Sequence, residues 1–255
     1  MNRQGDFIWY ELLTRDLDAA AAFYGDVIGW TVQDSGMPGM DYRLFVAPDG
    51  AMVGGLMAMP AGMPAPTWLG YVAVDDVDAT AADYVAAGGT QHMPPTTMPG
   101  VGRMAMLTDP QNAALYIMRS ESTETNTVFQ AADQATPGHF VWNQLTAADP
   151  DAAIAFYVDR FGWRQEGSMP MGAWGDYKFL LSGDVAIGAA MGMVPGGEAG
   201  WQFYTHVADI DAAAARIVDG GGQVLQGPDQ IPGGSFSVVA VDPMGTRFGL
   251  TGARA

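Results

Sequence analysis

Residues 7–30 read FIWYELLTRDLDAAAAFYGDVIGW, and residues 140–163 read FVWNQLTAADPDAAIAFYVDRFGW. Trp9 matches Trp142, Asp16 matches Asp149, Phe23 and Tyr24 match Phe156 and Tyr157, and the Gly29–Trp30 pair matches Gly162–Trp163, all at one offset (142 − 9 = 133). Working outward, the same offset relates Trp68 to Trp201, Tyr71 to Tyr204, Gly88 and Gly89 to Gly221 and Gly222, Pro99 to Pro232, and Asp109–Pro110 to Asp242–Pro243. Matches this dense define a tandem duplication. We place the copies at residues 5–119 and 138–253, with a polar linker at 120–137.

Each copy opens with an apolar run ending at an aspartate and passes into a short Ala-rich helix. Asp16 and Asp149 are the expected N-caps, because a carboxylate there accepts the unpaired amide protons of the first turn, and Pro150 occupies the favoured first helical position. Gly29 and Gly162 mark the expected stops. Three strand-like runs follow in copy one, WTVQ, YRLFVA and AMVGGLMAM, separated by turn residues. A second such unit begins at WLGYVAVDDVDATAADYVAAGG, and its counterpart in copy two at WQFYTHVADIDAAAARIVDGGG. Four βαβββ units therefore fill the chain, which predicts an α+β protein.

Composition narrows the function. Of 255 residues, 49% are apolar and 15% charged, the balance of a compact globular protein. With 28 acidic and 11 basic residues the net charge is −17, a field that repels phosphate backbones and anionic membranes, so neither nucleic acid nor membrane is an expected partner. No cysteine exists, which excludes thiolate nucleophiles, disulfides and iron–sulfur ligation. The first residues lack the order of a signal peptide and no long uninterrupted apolar stretch occurs, so a cytoplasmic location is expected.

The four βαβββ units, the aspartate-led AAxxFY helix ending in GW and the DP turn before each last strand resemble the vicinal oxygen chelate superfamily, which includes glyoxalase I, extradiol dioxygenases and bleomycin-resistance proteins. The resemblance covers nearly the whole chain outside the linker and is nearest to the two-module bacterial members. It implies tandem βαβββ units forming two curved mixed sheets with cupped cavities and helices outside, and in such cups the superfamily's enzymes commonly hold a divalent metal. The implied ligand places are filled here by Trp9 and Trp142 on the first strand, by Val72 and Thr205 before the second helix, and by Tyr116 and Gly249 or their neighbours on the last strand. Around Gly54, Gly55 and Leu56, or Gly188, Ala189 and Ala190, no acidic residue or histidine stands. No metal and no other cofactor is expected, since hard divalent ions need carboxylate oxygens and zinc or iron usually adds imidazole. His206 lies one residue past an expected place, and a register slip of one would turn it to the opposite face. His92 and His139 share no chelating spacing with it.

Glu11 follows Trp9 by two and so shares its side of the strand; its repeat partner is Gln144. A carboxylate in an apolar cup has its ionised form disfavoured and is suited to act as a general base or to hold a cationic group. Trp9, Tyr42, Tyr71, Trp142, Tyr177 and Phe203 offer flat faces for stacking, whereas Trp30, Trp163, Phe23 and Phe156 belong to helix packing. Glu11 is thus the candidate catalytic residue. Trp9, Trp142, Gln144, Tyr42, Tyr71, Val72, Phe203 and Thr205 are the candidate ligand-binding residues. The expected function is metal-independent binding of an apolar or planar small molecule by a monomer or homodimer. Two alternatives stand beside it: a lyase, isomerase or hydroxylase-type enzyme using an unrecognised metal or Glu11 as base, and a structural role with degenerate cups.

Overall fold

The computed structural model describes residues 2–194, 197 and 199–254. Copy one runs β1 (Phe7–Thr14), α1 (Leu17–Ile28), β2 (Thr31–Asp34), β3 (Tyr42–Val46), β4 (Met52–Ala58), β5 (Thr67–Ala73), α2 (Val77–Ala86), β6 (Thr90–Met98), β7 (Gly102–Thr108) and β8 (Ala114–Ser120). Copy two repeats the order as β9 (Phe140–Ala147), α3 (Pro150–Phe161), β10 (Arg164–Pro170), β11 (Asp176–Ser182), β12 (Val185–Gly192), β13 (Gly200–Val207), α4 (Ile210–Asp219), β14 (Gln223–Gln230), β15 (Phe236–Val241) and β16 (Arg247–Gly252). The strands form two eight-stranded mixed sheets, ordered β2-β3-β4-β1-β5-β8-β7-β6 and β10-β11-β12-β9-β13-β16-β15-β14. The α+β class and the four βαβββ units read from the repeat are both present.

Local chemistry explains each helix. Asp16, Asp76, Asp149 and Asp209 accept from the backbone amides of Ala19, Ala79, Ala152 and Ala212, satisfying donors that the helix itself leaves unpaired. Each first turn carries a further aspartate that suits the positive end of the helix dipole: Asp18, Asp78, Asp151 and Asp211. Gly29 and Gly162 close α1 and α3 in the left-handed conformation, at φ 90° and 69°.

The residues divide into two compact units. One comprises the chain up to Ile8, Gly70–Asn126 and Trp142–Gln202; the other comprises Trp9–Leu69, Thr127–Val141 and Phe203 onward. Each unit therefore combines one βαβββ motif from each copy: the second and third motifs in the former, the first and fourth in the latter.

Within the unit of the first and fourth motifs, Trp68 Nε1 donates to Tyr24 Oη at 3.1 Å, and Tyr24 donates to Asp242 Oδ2 at 3.1 Å. Asp242 Oδ1 accepts from the amides of Met244 (2.9 Å) and Thr246 (2.7 Å) in the DP turn. Burial, and then the neighbouring Asp242 carboxyl, push the Tyr24 hydroxyl well above its ordinary pKa, so it remains a donor. Burial likewise raises the Asp242 carboxyl. Trp30 Nε1 donates to the Gly138 carbonyl at 2.8 Å, and the rings of Trp30, Phe45, Trp68 and Phe140 close the core around this chain of bonds.

The unit of the second and third motifs repeats the device. Trp201 Nε1 donates to Tyr157 Oη at 3.1 Å, and Tyr157 donates to Asp109 Oδ2 at 3.0 Å. Asp109 Oδ1 accepts from the amides of Gln111 and Ala113, each at 2.8 Å. Trp163 Nε1 donates to the Gly5 carbonyl at 2.7 Å. Trp30, Trp163, Phe23 and Phe156 are all buried in helix packing, as their spacing implies. Gly5 and Gly138, again 133 apart (138 − 5 = 133), both have positive φ, 85° and 94°. A Cβ on Gly138 would stand 2.7 Å from Pro48 Cδ and 2.9 Å from Ala47 Cβ, so this approach admits no side chain.

Because removing the phenol hydroxyl takes the bond from the indole N–H and from the Oδ2 of a buried carboxyl, Tyr24→Phe and Tyr157→Phe should each lower stability by about 1 to 2 kcal/mol in urea unfolding, with unchanged far-ultraviolet circular dichroism. Gly138→Ala should cost more than either, since it adds a steric clash to an unfavourable φ.

Candidate functional site

Strand alternation sorts the aromatic residues onto two faces. In β1, Tyr10 stacks on Phe140 at 3.8 Å and meets Phe203 edge-on at 5.1 Å, so it faces the helix-side core of its unit. Trp9 and Glu11 therefore face the opposite side. Trp9 Nε1 donates to Tyr42 Oη at 2.9 Å. The tyrosine lies over Gly55, where a Cβ would collide with its hydroxyl, and Gly55 sits directly across from Glu11 in the parallel β1–β4 register. Trp9, Tyr42 and Glu11 thus converge on one patch, with Glu11 4% exposed and the two rings half-buried.

Copy two builds the same patch in its own unit. Trp142 Nε1 donates to Tyr177 Oη at 2.7 Å, and Tyr177 donates to Gln144 Oε1 at 3.1 Å. The Trp142 and Tyr177 rings lie 6.5 Å apart between centroids and within 16° of parallel. The two rings are thus held in a nearly parallel, stacked arrangement tied by the indole–phenol bond. Phe179 stands edge-on to Trp142 at 6.3 Å.

The other predicted residues fall elsewhere. Tyr71 stacks on Tyr116 at 4.3 Å and 7°, and Val72, its neighbour in β5, is fully buried and points to the opposite face by alternation. Phe203 and Thr205 do not join the Trp9–Tyr42 patch of their unit. They line a small void with Tyr24, Ile28, Trp30, Trp68, Phe140 and Phe248, in the core beneath α1. Thr205, expected to bind ligand, faces this core because strand alternation turns it away from the face that carries Tyr204 and His206. Alternation puts Tyr204 and His206 on the other face, where Tyr204 covers Gly249. His206 is half-buried with Nδ1 3.4 Å from Thr251 Oγ1, and burial lowers its pKa. His92 lies beside Thr108, and His139 bridges the Thr127 carbonyl (2.8 Å) and Asp49 (2.9 Å). Arg43 and Lys178 pair with the helix-starting Asp18 and Asp151 in equivalent surface bridges.

A divalent metal does not fit these residues. Among the described residues no group of three or more His, Asp or Glu side chains stands close enough to hold an ion. Trp9 and Trp142 present a donor nitrogen already bonded to tyrosine and have no lone pair to offer. Tyr42 fills the space over Gly55 that a ligand on β4 would need.

The family model for the Glyoxalase/Bleomycin resistance protein/Dioxygenase superfamily matches residues 7–116 and 136–250, and the chain belongs to that superfamily. Over 254 residues it is 36% identical to the candidate glyoxylase CFP32 of Mycobacterium tuberculosis, covering 97% of this chain and 95% of that protein. It is 28% identical to the anthracycline biosynthesis protein DnrV of Streptomyces peucetius, over 96% of this chain and 92% of that one. Among solved structures, the Mn(II)-bound glyoxalase from Novosphingobium aromaticivorans shares the fold with a TM-score of 0.67 at 19% identity, covering all of this chain and 84% of its own. The 2,2',3-trihydroxybiphenyl 1,2-dioxygenase from Sphingomonas wittichii has a TM-score of 0.66 at 16% identity, over 99% and 91% of the chains. No helix among the described residues is long and apolar enough to cross a membrane.

Spacing does not disclose how three residues near this site pack. Tyr116 and Tyr204 are packing partners of Tyr71 and Gly249, and Gly55 is the glycine that admits the Tyr42 ring. Gly55→Ala should displace Tyr42 and break its bond to Trp9, seen as a changed near-ultraviolet dichroism of the indoles and a loss of about 1 to 3 kcal/mol. His206 releases its proton more readily folded than unfolded, so the unfolded chain binds more protons and stability should fall as the pH drops below the ordinary histidine value of about 6.5. His206→Gln should flatten that decline in a pH series of thermal melts.

Proposed function

We propose that this superfamily member binds an apolar or planar small molecule without using a metal, through the patches built on Trp9 and Trp142. The observation that carries the reading is the hydrogen-bonded, nearly parallel Trp142–Tyr177 pair, matched in copy one by the Trp9–Tyr42 bond. A hydrogen bond that fixes both rings removes their rotameric freedom before a ligand arrives, and stacking on a fixed platform rewards a flat partner. The likeness to an anthracycline biosynthesis protein supports this choice, because anthracyclines contain a planar fused-ring core. In this reading residues 5–119 and 138–253 are the two modules. The protein works in the cytoplasm as a monomer or homodimer, with a small molecule as its partner; its charge of −17, which repels phosphate backbones, supports a reading without nucleic acid.

A second reading is supported by the burial of Glu11: a lyase, isomerase or hydroxylase-type reaction in which Glu11 takes a proton from a bound substrate. The superfamily's glyoxalase members make it a natural competitor.

Elemental analysis of purified protein, with titration against a panel of planar aromatics, separates these readings. Binding by protein free of transition metals, weakened at least about tenfold in Trp9→Ala and Trp142→Ala, is the expected result. Stoichiometric metal, or turnover lost in Glu11→Gln, would favour the enzyme.

A further inference from the structure

We infer that the face of β13 and β16 turned away from α1 and α4 holds an anion site, in which Arg247 anchors the carboxylate of a small aromatic acid. The inference goes beyond the binding reading above and does not depend on it, since it rests on residues outside the Trp9 and Trp142 patches.

In a chain with 28 acidic and 11 basic residues, a basic side chain has acceptors to spare. Arg3, Arg43, Arg103, Arg119, Arg160, Arg164, Arg254 and Lys178 all form ion pairs, Arg15 donates to the Pro64 carbonyl, and Arg216 is exposed. Arg247 is the exception. It is part-buried, its Nε is shut off from solvent, and no carboxylate or other acceptor among the described residues meets it. An arginine keeps its charge at any pH a protein meets, so withdrawing it from water unpaired works against folding. Such an arrangement persists where a ligand repays it.

Strand alternation gives the direction of this side chain. Across the β15–β16 ladder, Val238, Ala240, Phe248 and Leu250 are buried on the helix side, where Phe248 meets the rings of Phe23 and Tyr24 from α1. Arg247, Gly249 and Thr251 therefore face the other way. Asp242, the acidic residue of the same hairpin, points into the core and accepts from Tyr24. On the Arg247 side, the Tyr204 ring lies over Gly249, which pairs with it in the parallel β13–β16 register. The same face of β13 carries Gln202, whose Nε2 is also buried without an acceptor, and His206. Copy one holds nothing comparable 133 residues earlier (247 − 114 = 133): β8 has Ala114, Tyr116 and Met118 there, and β5 has Leu69, Tyr71 and Ala73. Only the tyrosine of the fifth strand is kept, and the cation belongs to copy two.

A planar guanidinium matches a carboxylate through two parallel hydrogen bonds, and the neighbouring Tyr204 ring offers a face to an aromatic body. One arginine neutralises one charge. A phosphate dianion would keep an excess charge in a field that is already negative, which favours the carboxylate.

The test uses 2-naphthoate and 2-naphthamide, the same rings with and without the charge, and inorganic phosphate as a third probe. In calorimetric titration of the intact chain, 2-naphthoate should bind at least about tenfold more tightly than 2-naphthamide and more tightly than phosphate. Arg247→Gln, which keeps most of the aliphatic stem, should weaken 2-naphthoate at least about tenfold and change 2-naphthamide less than about twofold. Arg247→Lys, which restores the charge without the fork, should recover part of the loss. Because the guanidinium has no partner to forfeit, ligand-free Arg247→Gln should melt at or above the wild-type temperature, and 2-naphthoate should raise the melting temperature of the wild type but not of the variant. A ligand-free variant that melts well below the wild type would assign Arg247 a structural role and overturn the inference. So would the absence of 2-naphthoate binding by the wild type, or an isotherm that Arg247→Gln leaves unchanged. Tighter binding of phosphate would overturn the choice of a carboxylate.

Discussion

The structure depends on a buried chain of three side chains, indole to phenol to carboxyl, formed once in each compact unit. Its carboxyl comes from a DP turn in one copy and its phenol from the first helix of the other, so Tyr24 reaches Asp242 and Tyr157 reaches Asp109. A buried polar group without a partner costs a large fraction of a domain's stability, whereas a fully satisfied network fixes a single arrangement. Here every member is satisfied, and the carboxyl also organises its own turn by accepting two backbone amides. The network therefore sets which motif of one copy packs against which motif of the other.

That commitment divides the aromatic residues into two groups. The rings gathered on the helix side, Trp30, Phe45, Trp68 and Phe140 in one unit and Trp163, Phe161 and Trp201 in the other, leave little space between them. Trp9, Tyr42, Trp142 and Tyr177 remain half-buried on the opposite face. Their mutual hydrogen bonds hold the rings fixed without covering them. A family whose fold supports metal chemistry elsewhere here presents aromatic surface and one acidic group at the corresponding places, which illustrates how function resides in the site and not in the scaffold.

Much of the architecture is legible in the sequence because it repeats. The offset of 133 exposes the modules, the aspartates before each helix name the N-caps, and Gly29 and Gly162 name the stops. The alternation of β1 also puts Trp9 and Glu11 on one face. The site is less legible on β5, where Tyr71 and Val72 are both expected to bind ligand although adjacent strand residues point apart. β5 is apolar along nearly its whole length, and β13 carries polar residues on both faces, Gln202 and His206 on one and Thr205 on the other, so neither strand has the clean period of two that fixes a register. Nor does spacing disclose that Trp9 would find Tyr42. That bond depends on Gly55, a residue whose importance is the side chain it lacks.

The carbonyls of Gly5 and Gly138 each accept an indole N–H from the GW pair of the other copy. These bonds bear on chimeric proteins made by exchanging one whole module with a relative. Such a crossover in the linker would separate every indole from its glycine and every phenol from its aspartate, joining halves whose matching residues had diverged independently. An exchange that instead moved Trp9–Leu69, Thr127–Val141 and Phe203 onward together would carry Trp30 with Gly138, and Tyr24 with Asp242, intact. Natural or engineered recombination in this chain should therefore be tolerated along the lines of the compact units, although those are discontinuous in sequence and the repeat boundary is the more obvious place to cut.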